Sequence, residues 1–271
     1  MFKRMMVATL AVLVTASAIP VFAADVMFAY GFAPGSSERY GVKMNQETDF
    51  GSGAMGQIAD FEVTVKCISV ADGKAAVTMT FDKVDISREM FGNIAPDASG
   101  EAIVGKTIAC TVDASGEVTD IKPSPYFDGW EQVQNMLEPI VEGWYLNMPG
   151  KTVAPGGTWD STRKDTGMGG MDVTSTGTFT FKEMKKEAGR ECALVIADIA
   201  TTLSGHMTNQ MGDFEVAGNG KGKFDVYFDP ASGTVIKLKG KTEVEANLSP
   251  STGGDNAVTV NTTYQIERTL L

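Results

Sequence analysis

The chain has 271 residues, 43% of them hydrophobic and 8% aromatic, and its 34 acidic against 23 basic residues give a formal charge of −11. Acidity of this size argues against nucleic acid or an anionic membrane surface as partner, and it is silent on fold. The single histidine excludes a histidine cluster, so chemistry built on one is absent.

Lys3 and Arg4 precede an apolar run from Met5 to Ile19, followed by Pro20 and the small-residue exit Val21-Phe22-Ala23. This order predicts a secretory signal peptide over residues 1–23, with the mature chain starting at Ala24. Pro20 interrupts the run before the roughly 20 apolar residues that a membrane span needs, and no cysteine stands at the exit to take a lipid. The expected location is periplasmic or secreted, in a bacterial envelope. The leader holds two of the positive charges and no acid, so the remaining 248 residues carry −13.

A first β repeat is expected over 24–126, because apolar and polar residues alternate with the period of two of a half-buried strand. Gly51, Gly53 and Gly56 match G-x-G-x-x-G, but a strand from Ile58 to Val70 follows where a dinucleotide site needs a helix. Cys67 and Cys110 fall on inward strand positions and form the candidate disulfide, with Cys192 left over. The alternative is three buried small hydrophobes. Asp113-Ala114-Ser115-Gly116 supplies turn residues between two strands. Asp113, Ser115 and Glu117 alternate as oxygen donors, yet the loop lacks the glycine and distant glutamate of a helical calcium site.

A helical connector is expected over 127–150. Phe127, Trp130, Val133, Leu137, Ile140, Val141 and Trp144 recur at three-to-four spacing, and Asp128 and Glu131 suit its N-terminal cap. Pro139 predicts a kink or two short helices end to end. The apolar face made by Trp130, Val133, Leu137, Ile140, Val141 and Trp144 is the candidate ligand lining.

A second β repeat is expected over 151–271. Its alternation is clear in Phe224, Val226 and Phe228, in Val244, Ala246 and Leu248, and in Val258, Val260, Tyr264, Ile266 and Leu270. Gly218-Asn219-Gly220 reads as a flexible hairpin. His206, in GHMTNQMGD, has Ser204 nearby and no G-x-S-x-G motif to serve. Glycine-flanked Met55, Met168, Met171, Met207 and Met211 suit either gap filling, varied apolar ligands or, less favourably, soft metals.

The phrases DASGEVTDIK at 113–122 and PASGTVIKLK at 230–239 repeat at an offset of 117, and Gly73 answers to Gly189 at 116. GSGAM at 51–55 answers to GMGGM at 167–171. One unit of about 117 residues has been duplicated. The fold expected is mainly β: a duplicated antiparallel meander forming a curved sheet or half-barrel, with one central amphipathic helix segment.

MPGKTVAPGGTW followed by GRECALV resembles an uncharacterised family of bacterial secreted and lipoprotein domains, whose fold is akin to the LolA and LppX type of periplasmic lipid carrier. The resemblance implies a curved antiparallel sheet, a helix on its concave face and a hydrophobic cavity between them. The chain departs from the lipoprotein members in lacking the lipid-attachment cysteine.

The function expected is an exported protein that binds a hydrophobic or lipid-like ligand. The alternatives are a structural or interaction protein with a filled core, and an outer-membrane β-barrel. No catalytic residue, metal site or cofactor is expected, nucleic acid is not expected as a partner, and no acid–base constellation supports an enzyme. The oligomeric state is not legible.

Overall fold

The computed structural model describes residues 24–51, 53–90, 92–125, 127, 129–166, 171–209, 212–251 and 257–271. The expected leader, Met168, Met211, Asp128 and most of the GMGGM segment lie outside them. The strands are β1 Val26–Phe28, β2 Ser37–Asp49, β3 Ala54–Ala71, β4 Lys74–Met90, β5 Asn93–Pro96, β6 Thr107–Asp113, β7 Val118–Pro123, β8 Lys151–Val153, β9 Thr158–Thr166, β10 Asp172–Glu187, β11 Arg190–Asn209, β12 Gly212–Asp229, β13 Thr234–Pro250 and β14 Val258–Leu270. The one α-helix, α1, spans Trp130–Glu142. Strands make up 71% of the described residues.

One antiparallel sheet of 12 strands carries the fold, curved and not closed. Its order is β7-β6-β4-β3-β2-β14-β13-β12-β11-β10-β9, with β5 paired to β4 off this path. Two meanders are thus joined where β14 pairs with β2. Both run in the same sense: β3–β4 and β10–β11 are long hairpins with two-residue tips at Asp72-Gly73 and Ala188-Gly189, all four at positive φ.

The repeated ASG turns are built alike as well. The Asp113 carboxylate accepts from the Ser115 and Glu117 amides and the Ser115 hydroxyl, and Asp229 accepts from the Ala231 amide and the Ser232 hydroxyl. These are Asx turns, in which a short carboxylate satisfies the amides that a reversing backbone leaves over. All three bonds to Asp113 go to its Oδ1. Among the described residues no group of three or more His, Cys, Asp or Glu is placed to hold a metal ion.

The two turns meet at one end of the sheet. The segment after β1 crosses between them, donating from Tyr30 N–H to Ala114 O at 2.8 Å and from Gly31 N–H to Gly233 O at 3.1 Å. A methyl group on Gly233 would lie 2.2 Å from the Gly31 nitrogen, and one on Gly116 would lie 2.5 Å from Leu146 O. Below this crossing, β1 and β8 form a two-stranded sheet that closes the same end. Its Phe28 is fully buried among Trp159, Phe181 and Phe228, with ring centroids at 5.0, 5.4 and 5.4 Å. Each such ring contributes up to about 3 kcal/mol by leaving water.

The first and last strands of the path, β7 and β9, run in the same direction because all ten steps between them are antiparallel and ten is even. Such edges cannot pair as an antiparallel barrel closes. The chain following α1 occupies the gap instead: Trp159 Nε1 donates to Asn147 O, Asn147 Nδ2 to Ser161 Oγ, and Met148 N–H to Ser115 O. The outer-membrane barrel alternative is therefore set aside, since a strand-built span needs a closed sheet. No described helix is long and apolar enough to cross a membrane.

Three local expectations are corrected. Pro139 neither breaks nor divides α1, which runs as one helix from an N-cap at Gly129; Gly143 N–H bonds to Pro139 O. Gly218-Asn219-Gly220 lies within β12, not in a hairpin. Cys67, Cys110 and Cys192 are all free and buried. Val77 of β4 stands in register between Cys67 and Cys110, so two strand spacings of about 4.8 Å separate them. That exceeds the roughly 7 Å that a disulfide spans.

Candidate functional site

The core is concentrated at the end where the turns meet, and burial fades toward the other end of the long strands. There the inner face of β2, β14 and β13 continues as half-buried Met44, Ile266, Thr262 and Val244, while the outer face shows exposed Lys43, Asn45, Lys241 and Glu245. Curvature shields the inner side chains from one direction only. The neighbouring β12 offers Gly218 and Gly220 on this face, where an added Cβ would meet Glu245 O at 2.7 Å and Val244 Cγ2 at 2.8 Å. Close approach of β13 is what requires them. The result is a trough of apolar and small side chains interrupted by a polar set, Gln46, Thr48 and Thr262, that hydrogen-bonds within itself; β2 walls it on one side and β11 on the other.

The helix does not cover this trough. α1 packs against β7, at the far edge of the first meander. Leu137 and Val141 are fully buried in the core and Trp144 is nearly so, while Trp130, Val133 and Ile140 are partly buried against it. Helical periodicity reveals that a face is buried but not what buries it. Of the six candidate lining residues, Trp144 is the one that reaches a polar site.

That site is centred on Arg268, which is 5% exposed. Its guanidinium lies over the rings of Trp144, at 4.7 Å, and Tyr40, at 5.6 Å, and donates from Nη1 to Trp144 O. Its Nε has no hydrogen-bond partner, and no ion pair reaches the group among the described residues. The nearby carboxylate, Glu38, accepts from the Tyr40 hydroxyl at 2.7 Å and the Thr234 hydroxyl at 3.0 Å. A cavity of about 40 Å³ is lined by Arg268, Tyr30, Tyr40, Trp144, Tyr145 and Glu38, among others.

The three tyrosines stay neutral. Burial pushes Tyr30 up to about 12, opposed by the charge of Arg268 and the Leu146 amide. Burial also raises Tyr40, helped by Glu38, and raises Tyr145. Sequence reasoning missed Arg268, although a signal existed: positions 258, 260, 264, 266 and 270 form one apolar face, and Arg268 has their parity.

Two larger spaces adjoin. A space of about 110 Å³ lies between Tyr145, Leu146 and the inner side chains Phe179 and Ile199. A cleft of about 540 Å³ follows the gap between the sheet edges, lined by Glu117, Glu142, Trp159, Asp160, Arg163 and Lys164 among others. Arg163 bonds there to Glu142 through its carboxylate and its backbone oxygen. His206 is exposed on β11, with its ring nitrogens 3.3 and 3.4 Å from Ser251 Oγ.

No protein-family model matches the chain, and no curated protein matches it. Among solved structures it is similar to lipovitellin, in a study of lipid–protein interactions in that protein, with a TM-score of 0.54 and 11% sequence identity. The match covers 89% of this chain and 25% of lipovitellin's. At that identity the likeness is one of fold.

Proposed function

We propose that the chain is an exported binder of a hydrophobic, lipid-like molecule, held along the inner trough of β2, β14, β13 and β12. The observation that carries this reading is the half-exposed apolar inner face beyond the packed end, which α1 leaves uncovered. The likeness to a protein studied for its lipid interactions supports it, as does the leader-like N-terminus. Each methylene laid in such a trough contributes up to about 0.8 kcal/mol, so ten give roughly 8 kcal/mol. Association costs remove at least about 4 kcal/mol, leaving at most about 4 kcal/mol, so a ten-methylene chain binds at about millimolar affinity or weaker on this term alone.

Native mass spectrometry of detergent-free protein, followed by titration with saturated fatty acids of increasing length, tests this. Affinity is expected to rise with each added methylene by at most about fourfold. Thr262→Glu, on the inner face, is expected to weaken binding strongly, whereas Asn261→Glu, the adjacent outer position, leaves it unchanged. No copurifying or added lipid at any chain length would favour a structural protein with a filled core.

A further inference from the structure

Arg268 stands at the packed end of the inner face, two residues along β14 from Ile266 and the trough. A guanidinium carries five N–H donors and a charge that never leaves it. Here one backbone oxygen accepts from it and two aromatic rings cover its faces, while Nε remains unpartnered. Water could satisfy a donor, but a buried cation without a directly bonded anion is costly. Glu38 lines the same cavity and its charge acts across it, but it forms no ion pair with Arg268; its two oxygens accept from Tyr40 and Thr234.

From this we infer that the cavity at Arg268 binds a carboxylate group, with Arg268 as its cationic anchor and Tyr30 and Tyr145 among the residues of its wall. Size supports the choice. About 10–15 Å³ accommodates one water-sized atom group, so 40 Å³ takes about three, the number of heavy atoms in a carboxylate and fewer than in a phosphate. A planar guanidinium is also matched to a planar carboxylate. The neighbouring Glu38 disfavours a dianion more than a monoanion. This inference rests on the lipid-binding reading, to which it adds the chemistry of the head group; the same carboxylate could come from an acyl chain or from a small free acid.

The test uses the full exported chain with three probes: dodecanoate, dodecanol and acetate, followed by calorimetry and tryptophan fluorescence. A hydrogen-bonded charge contributes about 1.5–3 kcal/mol, so dodecanoate is expected to bind at least about tenfold more tightly than dodecanol. Arg268→Gln is expected to reduce that preference to about twofold or less, and Arg268→Lys to retain part of it. Glu38→Gln is expected to tighten dodecanoate and leave dodecanol unchanged, and it decides the matter should Arg268→Gln fail to fold. Equal binding of dodecanoate and dodecanol, unaltered in Glu38→Gln, would overturn the carboxylate site while leaving the lipid reading in place. Acetate binding that competes with dodecanoate supports the site. If acetate binds as tightly as dodecanoate, the site stands and the acyl chain is rejected. Binding of none of the three overturns both.

Discussion

Placing a methyl group on Gly233 tests whether the two repeated turns are truly clamped on the segment between them. Gly233 has φ +67° and Gly189, in the β10–β11 hairpin tip, has φ +77°. An alanine at either site therefore carries the same left-handed backbone cost of roughly 1–2 kcal/mol. The surroundings differ: nothing lies within 4 Å of a Cβ at Gly189, whereas at Gly233 it would sit 2.2 Å from Gly31 N and 2.7 Å from Gly31 Cα. Relief requires the crossing segment to move, which costs about 1–3 kcal/mol as overpacking and about 1 kcal/mol for the strained Gly31–Gly233 hydrogen bond. Gly233→Ala is thus expected to be about 2–4 kcal/mol more destabilising than Gly189→Ala. Urea unfolding of both variants, with matched slopes, measures the difference. Gly116→Ala should resemble Gly233→Ala, since its Cβ would meet Leu146 O and the Tyr30 ring. Should Gly233→Ala and Gly189→Ala prove equal, the close approach contributes nothing and the reasoning fails.

Other outcomes follow from charge and burial. Burial raises the Asp229 carboxyl, but the Ser232 hydroxyl, Arg190 and the turn amides outweigh it, so its folded pKa lies below the ordinary value, and Asp113 behaves likewise. Their stabilisation is present above the unfolded value of about 3.9 and is lost as pH falls through the lowered folded values. Acid unfolding of Asp229→Asn should accordingly depend less on pH below about 4, and an unchanged acid limb would contradict this. Burial pushes the Cys110 thiol up to about 12 and raises Cys67 and Cys192. A thiol-reactive dye at pH 8 should label the native protein slowly and all three cysteines once it is unfolded; fewer than three on unfolding would indicate a disulfide. The inner-face variant Thr262→Glu, set against Asn261→Glu, completes the set through its loss of acyl-chain binding.

Alternation at a period of two made the sheet legible, because inner and outer residues of β13 and β14 differ so sharply in polarity. The repeated turn was legible too, since an Asx turn demands Asp and small residues at fixed places. Strand order was not, for nothing local specifies that β14 pairs with β2 across more than 200 residues. Gly218 and Gly220 misled because glycine serves both a reversal of the chain and a close approach of strands. The Cys67–Cys110 pairing failed because sharing a face says nothing of the strand between. Arg268 was overlooked as one polar residue in a polar-rich strand, although its parity placed it inside.

The gap between β7 and β9 has a consequence for solubility. Unpaired strand edges recruit other chains, and proteins with open sheets commonly blunt them. Here residues 147–148 lie between the two edges, bonded to the Trp159 and Ser161 side chains of β9 and to Ser115 O in the turn before β7. An incoming strand would first have to displace Asn147 and Met148. The sheet thus stays open without offering these parts of its edges to aggregation, a safeguard that a protein with an exposed apolar trough needs more than most.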